Sequence, residues 1–131
     1  MSYLRSPQIS TRSNLTAQTA SITAQILLTG AAGTAGMYRI SVYIKTTTAG
    51  TALDVVKATI VWNDGAAQTL DVPFENATII FNNHDLATLD AFSQGSIVVN
   101  AAASQNITYT ATVTKTGTPQ YEIHARIEAL G

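Results

Sequence analysis

A chain of 131 residues and 13.8 kDa, 46% hydrophobic and only 11% charged, fits one domain that buries roughly two thirds of its unfolded surface. Seven basic residues against eight acidic ones leave a formal net charge of -1, which excludes an electrostatic footprint for nucleic acid or an anionic membrane. The absence of cysteine excludes disulfides and thiolate metal sites.

Residues 1–20, MSYLRSPQISTRSNLTAQTA, are polar, carry Pro7 and show neither helical nor alternating periodicity, so they read as an extended N-terminal arm. Tyr3 and Leu4 give its tip bulky apolar side chains, which makes them candidate contacts with a neighbouring subunit or particle. The arm lacks an apolar run of the length a secretory signal needs, so assembly in the cytoplasm of the producing cell is expected. No segment approaches a membrane span.

From Ser21 the spacing changes to period two, and residues 21–131 read as a β domain. In SITAQILLTG, Ile22, Ala24, Ile26 and Leu28 fall on one face. In MYRISVYIKTTT the inward set is Tyr38, Ile40, Val42 and Ile44, while Arg39, Ser41, Tyr43 and Lys45 face out. LDVVKATIVW puts Val56, Ala58, Ile60 and Trp62 on a common face. Asn63-Asp64-Gly65 tolerates positive φ, which predicts a hairpin into AAQTLDVPF, and Pro73 there marks an edge strand or a strand end. ATIIF, residues 77–81, is a short β-branched strand, and NNHDLATLDAFSQG after it is irregular. GSIVVNAA, NITYTATVTKTG and QYEIHARIEALG complete eight strands, the last two joined by Gly117-Thr118-Pro119.

Eight short strands with no connection long enough for a crossover helix predict an all-β, antiparallel two-sheet sandwich, an eight-stranded jelly roll, with an immunoglobulin-type sandwich as its rival. The expected core is Ile40, Val42, Ile44, Ile60, Trp62, Tyr121, Ile123 and Ile127.

Chemistry is sparse. His124 shares a strand face with Glu122, Arg126 and Glu128, which reads as a solvated charged stripe. His84 stands beside Asp85 in an expected loop, without a second histidine in register for a metal. No nucleophile elbow, phosphate loop or dinucleotide fingerprint occurs, so no enzyme and no cofactor is expected. Asp54, Asp64, Asp71, Asp85 and Asp90 fall near turns but lack the spacing of a calcium loop. Asn14, Asn76 and Asn106 open Asn-x-Ser/Thr triplets, which matter only in a secreted protein.

Two surfaces remain. Tyr43 is the aromatic whose register predicts exposure, and it is the candidate glycan contact. Thr108, Thr110, Thr112 and Thr114, with Thr116 continuing the alternation, oppose the inward Tyr109, Ala111 and Val113. Such a face is uncharged and stiff at χ1, and suits water or a protein contact. Ice binding would need the pattern to repeat on the adjacent strand.

The layout from GMYRISVYIKTTTAGT through ATIVWNDG to NITYTATVTKTGTPQYEIHARIEALG resembles small jelly-roll modules of bacteriophage particles, both head-decoration proteins and tail appendages. It is also similar to trimeric jelly rolls of the tumour necrosis factor and complement head type, in Gly36, Tyr38 and Ile40 and again in Tyr121 and Ile123. The resemblance spans residues 21–131 and carries over no functional residue. It implies a structural virion component, a homotrimer that docks on other virion proteins; the charge balance and the lack of a membrane span leave neither nucleic acid nor membrane as an expected partner. The alternative is a carbohydrate- or receptor-binding module.

Overall fold

The computed structural model describes residues 8–30, 35–75 and 82–130. Nine strands are formed among them: β1 (Gln8–Gln18), β2 (Ile22–Leu28), β3 (Gly36–Thr48), β4 (Val55–Asn63), β5 (Ala67–Asp71), β6 (His84–Asp85), β7 (Phe92–Ala101), β8 (Ile107–Thr114) and β9 (Gln120–Ala129). They make two antiparallel sheets, one in the order β1-β9-β3-β7 and the other β2-β8-β4-β5, with β6 on β4.

The pairing is nested. β1 pairs β9, β2 pairs β8, β3 pairs β7 and β4 pairs β5, as in one long hairpin ribbon. Folding that ribbon over on itself adds the β3–β9 and β4–β8 pairs and splits it into two facing sheets. This is the wrapping of a jelly roll, and it leaves the rival immunoglobulin connectivity unrealised. The expected ATIIF strand lies outside the described residues.

Alternation explains the core. Tyr38, Ile40, Val42 and Ile44 of β3 and Tyr121, Ile123, Ala125 and Ile127 of β9 meet Val56, Ala58 and Ile60 of β4 and Ile107, Tyr109 and Ala111 of β8. Burying such an aliphatic side chain stabilises the fold by about 1.5–3 kcal/mol. Trp62, expected as core, is only partly buried and packs against the cluster from its edge. The Asn63-Asp64-Gly65 hairpin forms as expected, with Gly65 at φ 114° and its amide donating to Asn63 Oδ1 at 2.8 Å.

Two expectations are corrected. β1 is not a free arm, because Gln8–Gln18 pairs with β9 of its own chain. Its alternation is real, yet Thr11 and Ser13 stand with Leu15 on the inward side, so no apolar rhythm marks it. In β2 the strict alternation fails. Ala24 takes φ 49°, and register shifts on either side of Gln25 and Ile26 leave Leu27 and Leu28 buried and Ile26 47% exposed.

Asp54, 1% exposed, closes one end of the sandwich. Its carboxylate accepts the amides of Thr51 (2.9 Å), Thr116 (2.8 Å) and Gly117 (3.2 Å), and the Thr51 hydroxyl at 3.1 Å. Burial works to raise its pKa, but the donors from Thr116, Thr51 and Gly117 outweigh it and hold the carboxyl below its ordinary 3.8.

His84 is buried in β6, not set in an exposed loop. Its Nε2 lies 2.8 Å from Thr46 Oγ1, whose hydroxyl donates to Asp85 O at 2.7 Å, so Nε2 carries the proton. Nδ1 then accepts from Ser93 Oγ at 2.8 Å, and the ring is neutral. Burial pushes its pKa down to about 4, against the opposing pull of Asp85. The unfolded imidazole protonates near 6.5 and the folded one near 4, so stability is full above pH 6.5 and declines as pH falls toward 4. The decline attributable to this residue is about 3 kcal/mol. Urea denaturation at pH 7 and pH 4.5 is expected to show it. His84→Gln is expected to be less stable at pH 7 and flatter across that window.

Candidate functional site

The outer face of the β1-β9-β3-β7 sheet curls into an open concavity of about 450 Å³. Its floor is a grid fixed by strand register. One row runs Asn14, His124, Tyr43, Gln94 across the four strands, and the next runs Arg12, Arg126, Ser41, Ser96. The outward positions of four polar-faced strands thus converge on one surface.

Aromatic packing and hydrogen bonds hold the first row. The Tyr43 ring stacks on Phe92 with centroids 5.8 Å apart and 14° between planes, and leans against His124 at 6.2 Å and 47°. His124 is gripped from both ring nitrogens, Nδ1 lying 2.8 Å from Asn14 Oδ1 and Nε2 lying 2.7 Å from Glu122 Oε2. Asn14, in the first glycosylation triplet, is therefore engaged in the site.

Glu75 closes the β7 side of the concavity. The chain after β5 passes along the β7 edge, where the Glu75 amide donates to Gln94 O at 2.9 Å. Gly95 permits that approach: a methyl group there would lie 2.7 Å from Pro73 O and 3.0 Å from Val72 Cγ1.

The opposite face of the sandwich differs. Thr108, Thr110, Thr112 and Thr114 point outward from β8 opposite Val61, Thr59, Lys57 and Val55 of β4. Ile26 lies beside Thr108 on one flank, and Thr69 and Asp71 of β5 lie on the other. The charges among these residues, Lys57 and Asp71, pair at 3.6 Å. Val61 and Lys57 interrupt the threonines on the neighbouring strand, so the regular rank that ice binding requires is not formed. Thr116 leaves the ladder, since β8 ends at Thr114 and the Thr116 amide is bound by Asp54. Tyr3 and Leu4 lie outside the described residues.

Among the described residues no three His, Asp or Glu side chains converge in a way that suits a metal ion. Asp85, adjacent to His84, caps its own turn, accepting the Ala87 amide and the Thr88 hydroxyl at 2.7 Å each.

The structure brings Tyr43 and His124 together, a pairing that sequence spacing does not reveal. It adds Arg12 and Asn14 from a segment that reads as an arm, together with Gln94 and Ser96. The legible signal was the polar outward positions of each strand; their convergence depends on strand order.

No family model and no curated protein matches the chain. Among solved structures it is similar to the EclA C-terminal domain, a sugar-binding protein, at 14% identity and TM-score 0.48, over 95% of this chain and 81% of that one. It is similar to the capsid of Helicobacter pylori bacteriophage KHP30 at 12% identity and TM-score 0.41, over 91% of this chain and 93% of that one. Similarity to the infectious bursal disease virus VP2 subviral particle, at 13% identity and TM-score 0.29, covers 95% of this chain and 41% of that one. The jelly-roll assignment rests on the chain's own strand pairing.

Gly95→Ala is expected to cost about 1–3 kcal/mol through the clash with the Pro73 carbonyl. Urea denaturation reads that loss, and a broadened or shifted Glu75 amide resonance in NMR would report the displaced rim.

Proposed function

We propose that the chain is a non-enzymatic structural module of a phage-like virion, a capsid-decoration or tail-associated protein assembled in the host cytoplasm. It works by self-association, as a homotrimer, and by docking on other virion proteins. The threonine face carries this reading: it is low in charge, its Lys57 and Asp71 neutralise each other, and it exposes Ile26 beside Thr108. Threonines fixed at χ1 lose little entropy when ordered in a contact.

Size adds a constraint. A face four strands wide and seven residues long covers roughly 450 Å² in plan, from about 4.8 Å per strand and about 3.3 Å per residue. A stable contact buries about 800 Å² per partner. The N-terminal residues bearing Tyr3 and Leu4 would supply the additional contact.

Light scattering of the purified chain is expected to give a trimer, and Thr112→Lys or Ile26→Lys a smaller species with an unchanged circular dichroism spectrum. Removing residues 1–7, which spares β1, is expected to weaken assembly as well. A wild-type monomer at particle-like concentration would sink the reading.

Carbohydrate or receptor binding is the second reading, favoured by one observation: Tyr43 lies in the concavity with hydrogen-bonding side chains around it. On a glycan array the wild type is expected to retain specific glycans that Tyr43→Ala loses, and silence across the array would count against it.

A further inference from the structure

The second row of the concavity contains an anomaly. Arg12 and Arg126 stand directly opposite each other across β1 and β9, and like charges in that relation destabilise a sheet. The carboxylates nearest in sequence on β9 are occupied elsewhere: Glu128 pairs with Arg39 at 3.9 Å and Glu122 with His124 at 2.7 Å. Among the described residues neither Arg12 nor Arg126 forms an ion pair. Two exposed arginines thus stand on neighbouring strands in the lining of one cavity, neither paired with a protein carboxylate among the described residues.

We propose that Arg12 and Arg126 form an anion subsite for a sugar bearing one carboxylate, of the sialic or uronic acid class. This deepens the carbohydrate reading and rests on it. The guanidinium fork matches a carboxylate in a planar, two-bonded geometry. Beside it the row continues in Ser41 and Ser96, neutral groups that exchange hydrogen bonds with hydroxyls. Glu75 on the far side accepts hydroxyl donors and repels a second negative charge, which favours a singly charged polyol over a phosphate ester. Backbone amides of extended strands lie in the plane of the sheet, so among the described residues the floor presents side chains, not a cluster of amides, to a ligand. The volume of about 450 Å³ accommodates one or two sugar rings.

The test titrates the full chain, by calorimetry or NMR, with N-acetylneuraminic acid, glucuronic acid, galactose, glucose and inorganic phosphate. An acidic sugar is expected to bind more tightly than the neutral sugars and phosphate, with an affinity that falls as salt rises. Arg126→Gln and Arg12→Gln are each expected to weaken it at least tenfold, and to weaken any neutral-sugar binding far less. Both variants are expected to melt at or above the wild-type temperature, because a repulsive pair has been removed. Neutral sugars binding as well as acidic ones, with no effect of the arginine variants, would overturn the subsite and leave the carbohydrate reading standing. No sugar binding at all would overturn both. Phosphate binding more tightly than either acid, or an arginine variant that changes the oligomeric state in place of acid binding, would also overturn it.

Discussion

A single carboxylate, Asp54, fixes how the two sheets meet. It lies on the crossover from β3 to β4 and takes amides from the turn between β8 and β9, the return crossover between the same two sheets. Its own carbonyl accepts the Leu86 amide at 2.8 Å, which ties the segment after β6 to the same point. Three connections therefore converge on one residue. The glycines there are a consequence of this crowding, since a side chain at Gly50 or Gly117 would collide with Asp54 and its neighbours. Donors this concentrated on a buried carboxylate favour its charged form and tie the loops to one point.

The register set from that corner determines both outer faces. β3 and β9 pair from Tyr38 with Ala129 to Thr48 with Gln120, so Tyr43 is held against His124 and Ser41 against Arg126. In the other sheet β4 and β8 run from Val55 with Thr114 to Val61 with Thr108, which aligns the threonine ladder beside Thr59. A slip of one residue in either pair would send its polar row into the core. Tyr121 adds a second fastening at the same end, its hydroxyl donating to Ala20 O at 2.7 Å; burial and then neighbouring Tyr109 push its pKa up to about 12.

Sequence periodicity was a good guide wherever the buried face is apolar. β3, β4, β8 and β9 alternate as read, because each carries an apolar residue, Ile, Val, Tyr or Ala, inward at alternate positions. It failed where the inward side is polar or the alternation breaks. Ser13 is buried in β1 and reaches toward the Tyr109 hydroxyl at 3.4 Å, so the inward side of this edge strand was written partly in hydroxyls. The bulges in β2 moved Ile26 outward and Leu27 inward, and nothing in ITAQILL marks where they fall. The concavity was half legible. Tyr43 and the His124 stripe were visible as exposed strand faces, but their adjacency, and the arrival of Arg12 and Asn14 beside them, follow from nested pairing across more than one hundred residues of chain, which local spacing does not encode.

The two faces of the sandwich point in opposite directions, about 10 Å of packed core holding them apart. An assembly built through the threonine face would turn one concavity per copy toward the solution, all at spacings set by rigid strands. Weak recognition at each would then combine, and joint engagement of a ligand-bearing surface could exceed single-site affinity by about 10²–10⁴ without any new contact. A shallow, open cavity is adequate for such avidity, because each copy needs only a brief grip.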